Sequence, residues 1–275
     1  MILIGDTGTG KLNERDDSNG MDEGSSQAFT PLPMPPQTAP QVLTAEASGV
    51  YSNIQIKTAI SSGHIVFHPY IEDHIAGSSV DVTLGHWYYR TERNTNGGFY
   101  NPFDEGDVHK YFDGPFSAQT HDMWAEANGR KLFAGIPADQ PVIVLAPGER
   151  ILAHTHEFVG IKAPGTSTMQ ARSTWGRNGV AVCLDAGWGD PGYINRWTME
   201  IYNMNQHHSV VLPVGERIAQ IVFYHTGPVE GQYKQISGKY QTDTDNDLPK
   251  LIQEWRPEHM LPRGYKDKRR KPIAL

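Results

Sequence analysis

The amino-acid sequence predicts a mainly β protein. Apolar, β-rich runs recur about every ten residues between 141 and 224, and glycine or proline stands between them. The 275 residues include 28 glycines and 19 prolines, which favours many short strands joined by turns over long helices. This rhythm is typical of a sandwich or a jelly-roll barrel.

Composition divides the chain into three parts. Residues 1–48 are rich in Gly, Ser, Asp, Thr and Pro and lack a sustained apolar period, so we expect a disordered, low-complexity N-terminal extension. We expect the folded β domain over 49–248. Residues 249–275 are predicted to form a C-terminal extension, whose RGYKDKRRK stretch at 263–271 gives a basic, solvated tail to an otherwise acidic chain.

The first elements of the domain follow from local signals. Ser52 can cap a short helix, in which Ile56 and Ile60 share one face. The alternation of SSVDVTLG at 78–85 predicts a half-buried strand that leads into a turn. From 86 to about 138 the sequence is aromatic and rich in turn formers, with one weak helical stretch near 122–131, and we interpret it as an elaborated loop insertion.

Charge and cysteine content exclude several classes of protein. The net charge of −7 argues against a chain that coats nucleic acid, because phosphate binding on that scale needs a basic face. The single cysteine, Cys183, rules out a disulfide framework and any zinc site that takes two cysteines from one chain. No stretch approaches the roughly 20 apolar residues of a membrane helix. We expect a cytoplasmic protein without nucleic-acid or membrane partners.

Two histidines form a weaker metal signal. His154 and His156 alternate in a predicted strand, so they would share one face and could hold a metal. Two ligands are too few for a site, and we favour structural or exposed histidines. Cys183 lies in the apolar run VAVCLD, where a cysteine usually packs as a small hydrophobic residue, and we assign it no catalytic role.

Two glycine-containing segments could bind a polyanion. ARSTWGRNG at 171–179 supplies two arginines and two hydroxyls, which are donors for phosphate oxygens, although a polar turn has the same composition. DAGWGDPGY at 185–193 places Asp185, Asp190 and Tyr193 on a connection that can bring backbone groups close to a ligand.

A strand carboxylate follows these segments. In WTMEIYN at 197–203, alternation places the apolar side chains on one face and Glu200, with its polar neighbours, on the other. On an exposed face Glu200 would be an ordinary surface residue. Facing an apolar pocket, its pKa would rise and it could transfer protons near neutral pH.

These three segments, in this order and spacing, resemble the signature of dCTP deaminases, within the dCTP deaminase and dUTPase superfamily. Other segments follow in the order expected for that family, and the resemblance covers about 50–243. They are the helix at 53–62, SSVDVTLG at 78–85, LAPGE at 145–149, GERIAQIVF at 215–223 and GKY at 238–240.

The resemblance implies a distorted β jelly roll assembled as a homotrimer, with nucleotide sites shared between neighbouring subunits. It implies hydrolytic deamination of dCTP to dUTP and ammonia, without zinc and with Mg²⁺ carried on the triphosphate. The single cysteine agrees with a zinc-free reaction, because zinc nucleobase deaminases need a pair of cysteines.

The same resemblance implies roles for individual residues at the base. Glu200 would be the general base and acid that activates water for attack on cytosine C4. Ser173 and Arg177 would orient the water, Glu200 and the base. The backbone around Asp185 and Ala186 would contact the exocyclic amine.

Other residues would bind the sugar and the phosphates. Asp190 would accept a hydrogen bond from the 3′ hydroxyl, and Tyr193 would pack beneath the sugar and exclude a ribose 2′ hydroxyl. Arg172, Ser173 and Thr174 would hold phosphates. A C-terminal segment that closes over the triphosphate would contribute Tyr233, Lys239 and Tyr240.

Two departures from the family pattern leave alternatives open. Asp243 stands where relatives usually place a glutamine, and a carboxylate there would repel phosphate. Asp185 stands where deaminases usually have threonine, and AGWGDPGY also resembles a dUTPase motif whose aspartate activates water at the α-phosphate. One alternative is therefore a bifunctional enzyme that gives dUMP and pyrophosphate. Another is a catalytically silent regulator that binds dCTP, dUTP or dTTP.

Overall fold

The computed structural model describes residues 49–91, 96–230, 239–240 and 247–267, all within the compact unit Thr44–Leu275. The predicted extension 1–48, Tyr233 and Asp243 lie outside the described residues. None of the helices in the described ranges is long and apolar enough to cross a membrane.

The described residues form thirteen strands and five α-helices. The helices are α1 Asn53–Ser61, α2 Glu105–Tyr111, α3 His121–Ala127, α4 Ser173–Arg177 and α5 Leu248–Glu254. The strands are β1 Ile65–His68, β2 Ile75–Ala76, β3 Ser79–Thr91, β4 Phe112–Ser117, β5 Gln119–Thr120, β6 Pro141–Leu145, β7 Arg150–Ile161, β8 Thr166–Ala171, β9 Val180–Ala181, β10 Trp188–Gly189, β11 Ile194–Asn203, β12 Val210–Pro213 and β13 Arg217–Tyr224.

Ten strands form one curled antiparallel sheet, so the prediction of a mainly β protein is confirmed. Its main path runs β10-β8-β13-β3-β7-β11-β9, with β1 on β7 and with β2 and β4 on β3. Strand β3 pairs with β13 through residues 80–83 and with β7 through residues 84–90. This change of partner joins the two parts of the sheet. Strands β12, β6 and β5 form a second, smaller sheet.

Local signals account for α1 and β11. The Ser52 hydroxyl accepts the backbone N–H of Gln55, whose side chain accepts the N–H of Ser52, and this capping box starts α1. Strand β11 alternates between buried and half-buried residues from Asn195 to Asn203, with Trp197, Met199 and Ile201 buried in the main core. The predicted alternation at 197–203 is therefore confirmed, and Glu200 lies on the opposite face from these three residues.

The region 86–138 is more ordered than predicted, and its interpretation as an elaborated loop is wrong for the part that the structure describes. Strand β3 continues to Thr91, and α2, β4, β5 and α3 follow. Tyr89, Val108 and Phe112 are buried together in a second apolar cluster. The aromatic residues of this region are core residues, and Asp104 in its turn-rich stretch caps α2.

The strand at 78–85 is also more buried than expected. Asp81 and Thr83, assigned to a solvent face by alternation, are both buried. The Asp81 carboxylate pairs with Arg172 and Arg217, and the Thr83 backbone N–H and hydroxyl both donate to Glu157. Polar residues are tolerated inside this strand because each has a charged or hydrogen-bonding partner.

The C-terminal segment packs onto the domain instead of extending into solvent. Helix α5 and the turns at Pro257–Met260 and Gly264–Lys266 follow one another between 247 and 267. Leu251, Trp255 and Met260 are buried in the second apolar cluster with residues of β3, β7 and β11. The expectation of a solvated extension is therefore wrong for 249–267, and 268–275 lie outside the described residues.

This packing predicts that alanine substitutions at two adjacent residues differ in their effect on the free energy of unfolding. Leu251→Ala is expected to lower the free energy of unfolding by about 3 kcal/mol, because Leu251 is fully buried and truncation leaves a cavity. Ile252→Ala, at a side chain that is 37% exposed, should cost under about 1 kcal/mol. Urea unfolding of both variants measures the difference. Equal, small losses would contradict the packing of this segment.

Candidate active site

A cavity of about 560 Å³ opens beside the face of β11 that carries Glu200. It gathers residues from the glycine-rich connection at 185–193, from β11 and from the C-terminal part of the chain. Six residues that the sequence analysis assigned to a nucleotide site line it together: Ala186, Asp190, Tyr193, Glu200, Lys239 and Tyr240.

Glu200 is the most strongly perturbed carboxylate in the cavity. It lies opposite Leu152 of β7, and its backbone neighbours Met199 and Ile201 point into the core. Burial raises the pKa of Glu200 to about 7, against smaller lowerings by a backbone hydrogen bond and by the positive charge of Arg150. Its Oε2 is buried and has no hydrogen-bond partner among the described residues. A carboxylate with this pKa can accept and return a proton near neutral pH.

The connection that carries Asp190 and Tyr193 is held by close packing. The Tyr193 N–H donates to the Asp190 carbonyl at 2.9 Å, and the Trp188 indole N–H donates to Asp190 Oδ1 at 3.2 Å. A Cβ on Gly189 would lie 2.4 Å from the Trp197 ring, so only glycine fits there. These contacts aim the Asp190 carboxylate and the Tyr193 ring at the cavity.

The two aspartates of this connection differ in position. Asp190 lines the cavity, whereas Asp185 is exposed and is absent from the cavity wall. Leu184, just before Asp185, has a positive φ of 43° and an exposed side chain. The chain turns sharply there, so that only Ala186 of the pair reaches the cavity.

The C-terminal segment fixes Lys239 and Tyr240 at the cavity. Lys239 forms an ion pair of 3.0 Å with Asp267, and Arg263 donates through its side chain to the Lys239 carbonyl. The Arg263 backbone N–H donates to the Tyr240 hydroxyl at 3.3 Å. Both predicted residues therefore reach the cavity, but the Lys239 charge is already paired with a carboxylate.

The arginine- and hydroxyl-rich segment is not brought to this cavity. Ser173, Thr174 and Arg177 lie on the exposed face of α4, and Arg172 is paired with Asp81. Helix α4 leads into β9, which pairs with β11 at Tyr202 and Asn203. Ser173, Thr174 and Arg177 are nevertheless absent from the cavity wall of their own chain, so their role beside Glu200 stays a prediction.

Several cavity residues were not predicted. Tyr100 and Phe112 come from the region first interpreted as a loop, and Arg150 comes from the start of β7. Met260 and Pro262 come from the expected tail. Only Arg150 had a usable signal, since it follows the LAPGE turn in a strand that could pair with the Glu200 strand. The others reach the site through long-range packing.

His154 is a structural residue, and the prediction that it shares a strand face with His156 is wrong. An irregularity in the β7–β11 pairing places His154 fully inside while His156 is exposed. The His154 ring donates to the Thr155 carbonyl at 2.8 Å and accepts the Trp87 N–H at 3.2 Å, and burial lowers its pKa to about 3. Among the described residues, no three His, Cys, Asp or Glu side chains are grouped as a metal site.

Cys183 is buried beside the candidate site. Burial, with the nearby charge of Glu200, raises the pKa of its thiol to about 11, and its Sγ–H donates to the Met169 carbonyl at 3.4 Å. The thiol therefore stays protonated at neutral pH and is a poor nucleophile.

The raised pKa of Glu200 predicts a pH-dependent effect on stability. The pKa is about 7 in the folded protein and about 4.3 in an unfolded chain, so wild-type stability falls as the pH rises between these values. The free energy of unfolding of Glu200→Gln, relative to wild type, should rise by about 2–3 kcal/mol between about pH 5 and pH 8. Urea unfolding of both proteins at the two pH values measures this difference in the free energy of unfolding. Glu216→Gln, at an exposed site, is the control. A pH-independent difference would contradict the raised pKa.

Comparisons with known proteins identify the family of this chain. A family model described as dCTP deaminase-like matches residues 50–226. The "dCTP deaminase, dUMP-forming" of Methanopyrus kandleri is 34% identical over 200 residues, which cover 70% of this chain and 91% of that protein. The protein of the same name from Methanosphaera stadtmanae is 30% identical over 210 residues, which cover 75% and 95%. A 2′-deoxycytidine 5′-triphosphate deaminase crystal structure from Agrobacterium tumefaciens aligns with a TM-score of 0.46 and 17% identity, over 65% of this chain and 49% of that one.

These names correct one expectation. The sequence resemblance implies dUTP as the product, but the relatives from Methanopyrus kandleri, Methanosphaera stadtmanae, Nanoarchaeum equitans and Thermobifida fusca are named as dUMP-forming. The expectation of dUTP as the end product is therefore wrong, and the bifunctional alternative agrees better with the relatives. With a family match over residues 50–226 and a relative 34% identical across 70% of the chain, this protein belongs to the dCTP deaminase-like family.

Proposed function

We propose that this protein converts dCTP to dUMP in two hydrolytic steps. The first consumes one water and releases ammonia from dCTP; the second consumes another water and splits dUTP into dUMP and pyrophosphate. The observation that carries the proposal is the presence of two carboxylates, Glu200 and Asp190, in the wall of one cavity. The dUMP-forming relatives support the same overall reaction.

Glu200 performs the deamination. Because its pKa is about 7, a large fraction of the side chain is ionised at neutral pH and can take a proton from the attacking water. The hydroxide adds to cytosine C4. The protonated Glu200 then returns its proton to the amino group, which leaves as ammonia, and the proton of the new C4 hydroxyl moves to N3 to give uracil.

Asp190 activates the second water, for attack on the α-phosphate with pyrophosphate as the leaving group. Of the two aspartates in DAGWGDPGY at 185–193, Asp190 lines the cavity and Asp185 does not, which favours Asp190. Mg²⁺ would enter on the triphosphate and neutralise charge on the leaving group. Tyr193, packed edge-on against Trp197 with ring centroids 5.4 Å apart, would bound the sugar and favour a deoxynucleotide.

The active unit is proposed to be a homotrimer of distorted jelly-roll subunits. Ser173, Thr174 and Arg177 are exposed on α4 and do not line the cavity of their own chain. Their donors suit a polyphosphate or a catalytic water, so a neighbouring subunit is the natural source of these groups. The exposed Leu184 and Trp188 at the cavity connection supply apolar surface for such a contact.

A product assay tests the function. The purified full chain is incubated with Mg²⁺ and dCTP, dUTP or CTP, and products are resolved by chromatography with separate ammonia and pyrophosphate measurements. We expect dCTP to give dUMP, pyrophosphate and ammonia in equal amounts, dUTP to give dUMP, and CTP to react poorly. Stoichiometric dUTP from dCTP would overturn the second step. A rise in melting temperature without turnover would indicate a nucleotide-binding regulator.

A further inference from the structure

Arg150 lies beside Glu200 on the neighbouring strand. It opens β7 directly after the LAPGE turn, and the β7–β11 register pairs Arg150 with Tyr202 and Leu152 with Glu200. Residues directly opposite in an antiparallel pair share a face, so Arg150 and Glu200 are diagonal neighbours on one face. Such diagonal positions are about 7–8 Å apart, within reach of a long side chain. Both residues line the same cavity.

The Arg150 charge is not neutralised by the surrounding protein. None of the carboxylates within the described ranges forms an ion pair with Arg150, and its guanidinium donates only a long hydrogen bond of 3.4 Å to the Tyr111 hydroxyl. The adjacent Glu149 is paired with Arg90. The other cation in the cavity wall, Lys239, is paired with Asp267. Arg150 therefore supplies the uncompensated positive charge on the Glu200 side of the cavity.

The other groups around Glu200 do not replace that charge. Three tyrosines, a lysine and a second carboxylate line the same cavity, from the insertion, the glycine-rich connection and the C-terminal part of the chain: Tyr100, Tyr193, Tyr240, Lys239 and Asp190. The nearby Cys183 thiol is outside the cavity wall, and burial with the Glu200 charge raises its pKa, so it stays protonated. Asp190 adds negative charge, and Lys239 is already paired. Burial opposes ionisation of Glu200, whereas a backbone hydrogen bond and the positive charge of Arg150 favour it.

We propose that Arg150 is a positioning residue for Glu200, whose guanidinium acts across the strand pair to keep the carboxylate ionised and available to take a proton from water. This inference rests on the proposed deamination. The proposal also requires that the Arg150 guanidinium and the Glu200 carboxylate are near each other but not in direct contact. A contact ion pair would make the carboxylate a weaker base, and no cation at all would leave a buried glutamate protonated at neutral pH.

Three variants test the inference: Arg150→Met, Arg150→Lys and, as a control for loss of positive charge at an exposed site, Arg130→Met. The first readout is the pH profile of kcat/KM for ammonia release from dCTP. In Arg150→Met the acid limb should move up by about one unit, so that activity at about pH 6 falls roughly tenfold and approaches wild type at about pH 9. Arg150→Lys should restore most of the profile, and Arg130→Met should match wild type.

The second readout does not depend on turnover. Infrared difference spectra recorded against pH follow the band of the protonated Glu200 carboxyl, which is identified by its loss in Glu200→Gln. The pH midpoint of this titration should rise in Arg150→Met and should be close to the wild-type value in Arg150→Lys. An unmoved midpoint with a raised KM would overturn the inference and assign Arg150 to substrate binding. A uniform loss of kcat at all pH values would assign it a structural role. If wild type releases no ammonia, the proposed function fails, while the infrared titration still decides whether Arg150 controls Glu200.

Discussion

Glu200→Gln is expected to lower the rate of ammonia release from dCTP by about 10³-fold, within the range that a positioned general acid–base group contributes. Glutamine keeps the size of the side chain and its hydrogen-bonding capacity but cannot accept the proton of the attacking water. The fold should be retained, because Glu200 faces the cavity and its Oε2 has no hydrogen-bond partner to lose among the described residues.

Parallel assays separate this effect from general damage. Ammonia release is measured from dCTP, and pyrophosphate release is measured from dUTP, for wild type, Glu200→Gln and Glu216→Gln. Glu216 is an exposed glutamate, so its variant should retain both activities. Glu200→Gln should retain pyrophosphate release from dUTP while losing deamination. Ammonia release that survives in Glu200→Gln would refute the proposed role of this carboxylate.

Asp190→Asn should have the opposite effect, with pyrophosphate release from dUTP reduced by about 10²-fold and dUTP accumulating from dCTP. The substituted side chain keeps a carbonyl oxygen that can still accept the Trp188 indole N–H, which now reaches Asp190 Oδ1 at 3.2 Å, so the connection should keep its shape. What is lost is the negative charge that would activate water at the α-phosphate.

Asp185→Asn is the matched control, five residues earlier and outside the cavity wall. It should leave both steps close to wild type. Loss of pyrophosphate release in Asp185→Asn, with Asp190→Asn active, would transfer the role to the other aspartate. An equal loss of both steps in Asp190→Asn would indicate instead that Asp190 holds the sugar 3′ hydroxyl, the role first expected from the sequence resemblance.

Two carboxylates with different surroundings can serve two reactions in one cavity. Glu200 is buried on a strand whose opposite face is core, and burial is the main cause of its raised pKa. Asp190 lies on an exposed glycine-rich connection, where its carboxylate accepts an indole N–H. A base with a pKa near neutrality suits a proton that must be taken and returned, whereas a carboxylate on an exposed connection suits water activation beside a magnesium-bound triphosphate.

Local sequence patterns predicted much of the fold, but they did not predict the structure of 86–138 or of 247–267. The capped helix at 53–61 and the alternating strand around Glu200 depend on neighbours within a few residues, and their signals were readable. The region 86–138 and the segment 247–267 were misjudged, since their buried residues are scattered aromatic and apolar side chains without a period. Phe112 and Met260 are buried only because distant parts of the chain pack into the same apolar cluster.

Irregular pairing between strands β7 and β11 is a second feature that the sequence did not predict. Strict alternation placed His154 and His156 on one face, but the β7–β11 register shifts between Arg196 and Thr198, so that one histidine is buried and the other exposed. A bulge of this kind depends on how the partner strand is held, which the two histidines alone do not encode.

The sequence by itself determined the mainly β class, the face of β11 that carries Glu200, and the glycine-rich connection that carries Asp190 and Tyr193. These features follow from periods of two residues and from the backbone freedom of glycine, which are local properties. The tertiary structure alone decided that Glu200 is desolvated, that Asp190 reaches the cavity while Asp185 does not, and that Arg150 is a neighbour of Glu200. The reason is physical: burial and electrostatic coupling depend on groups brought together from distant parts of the chain, and no local pattern specifies those distances.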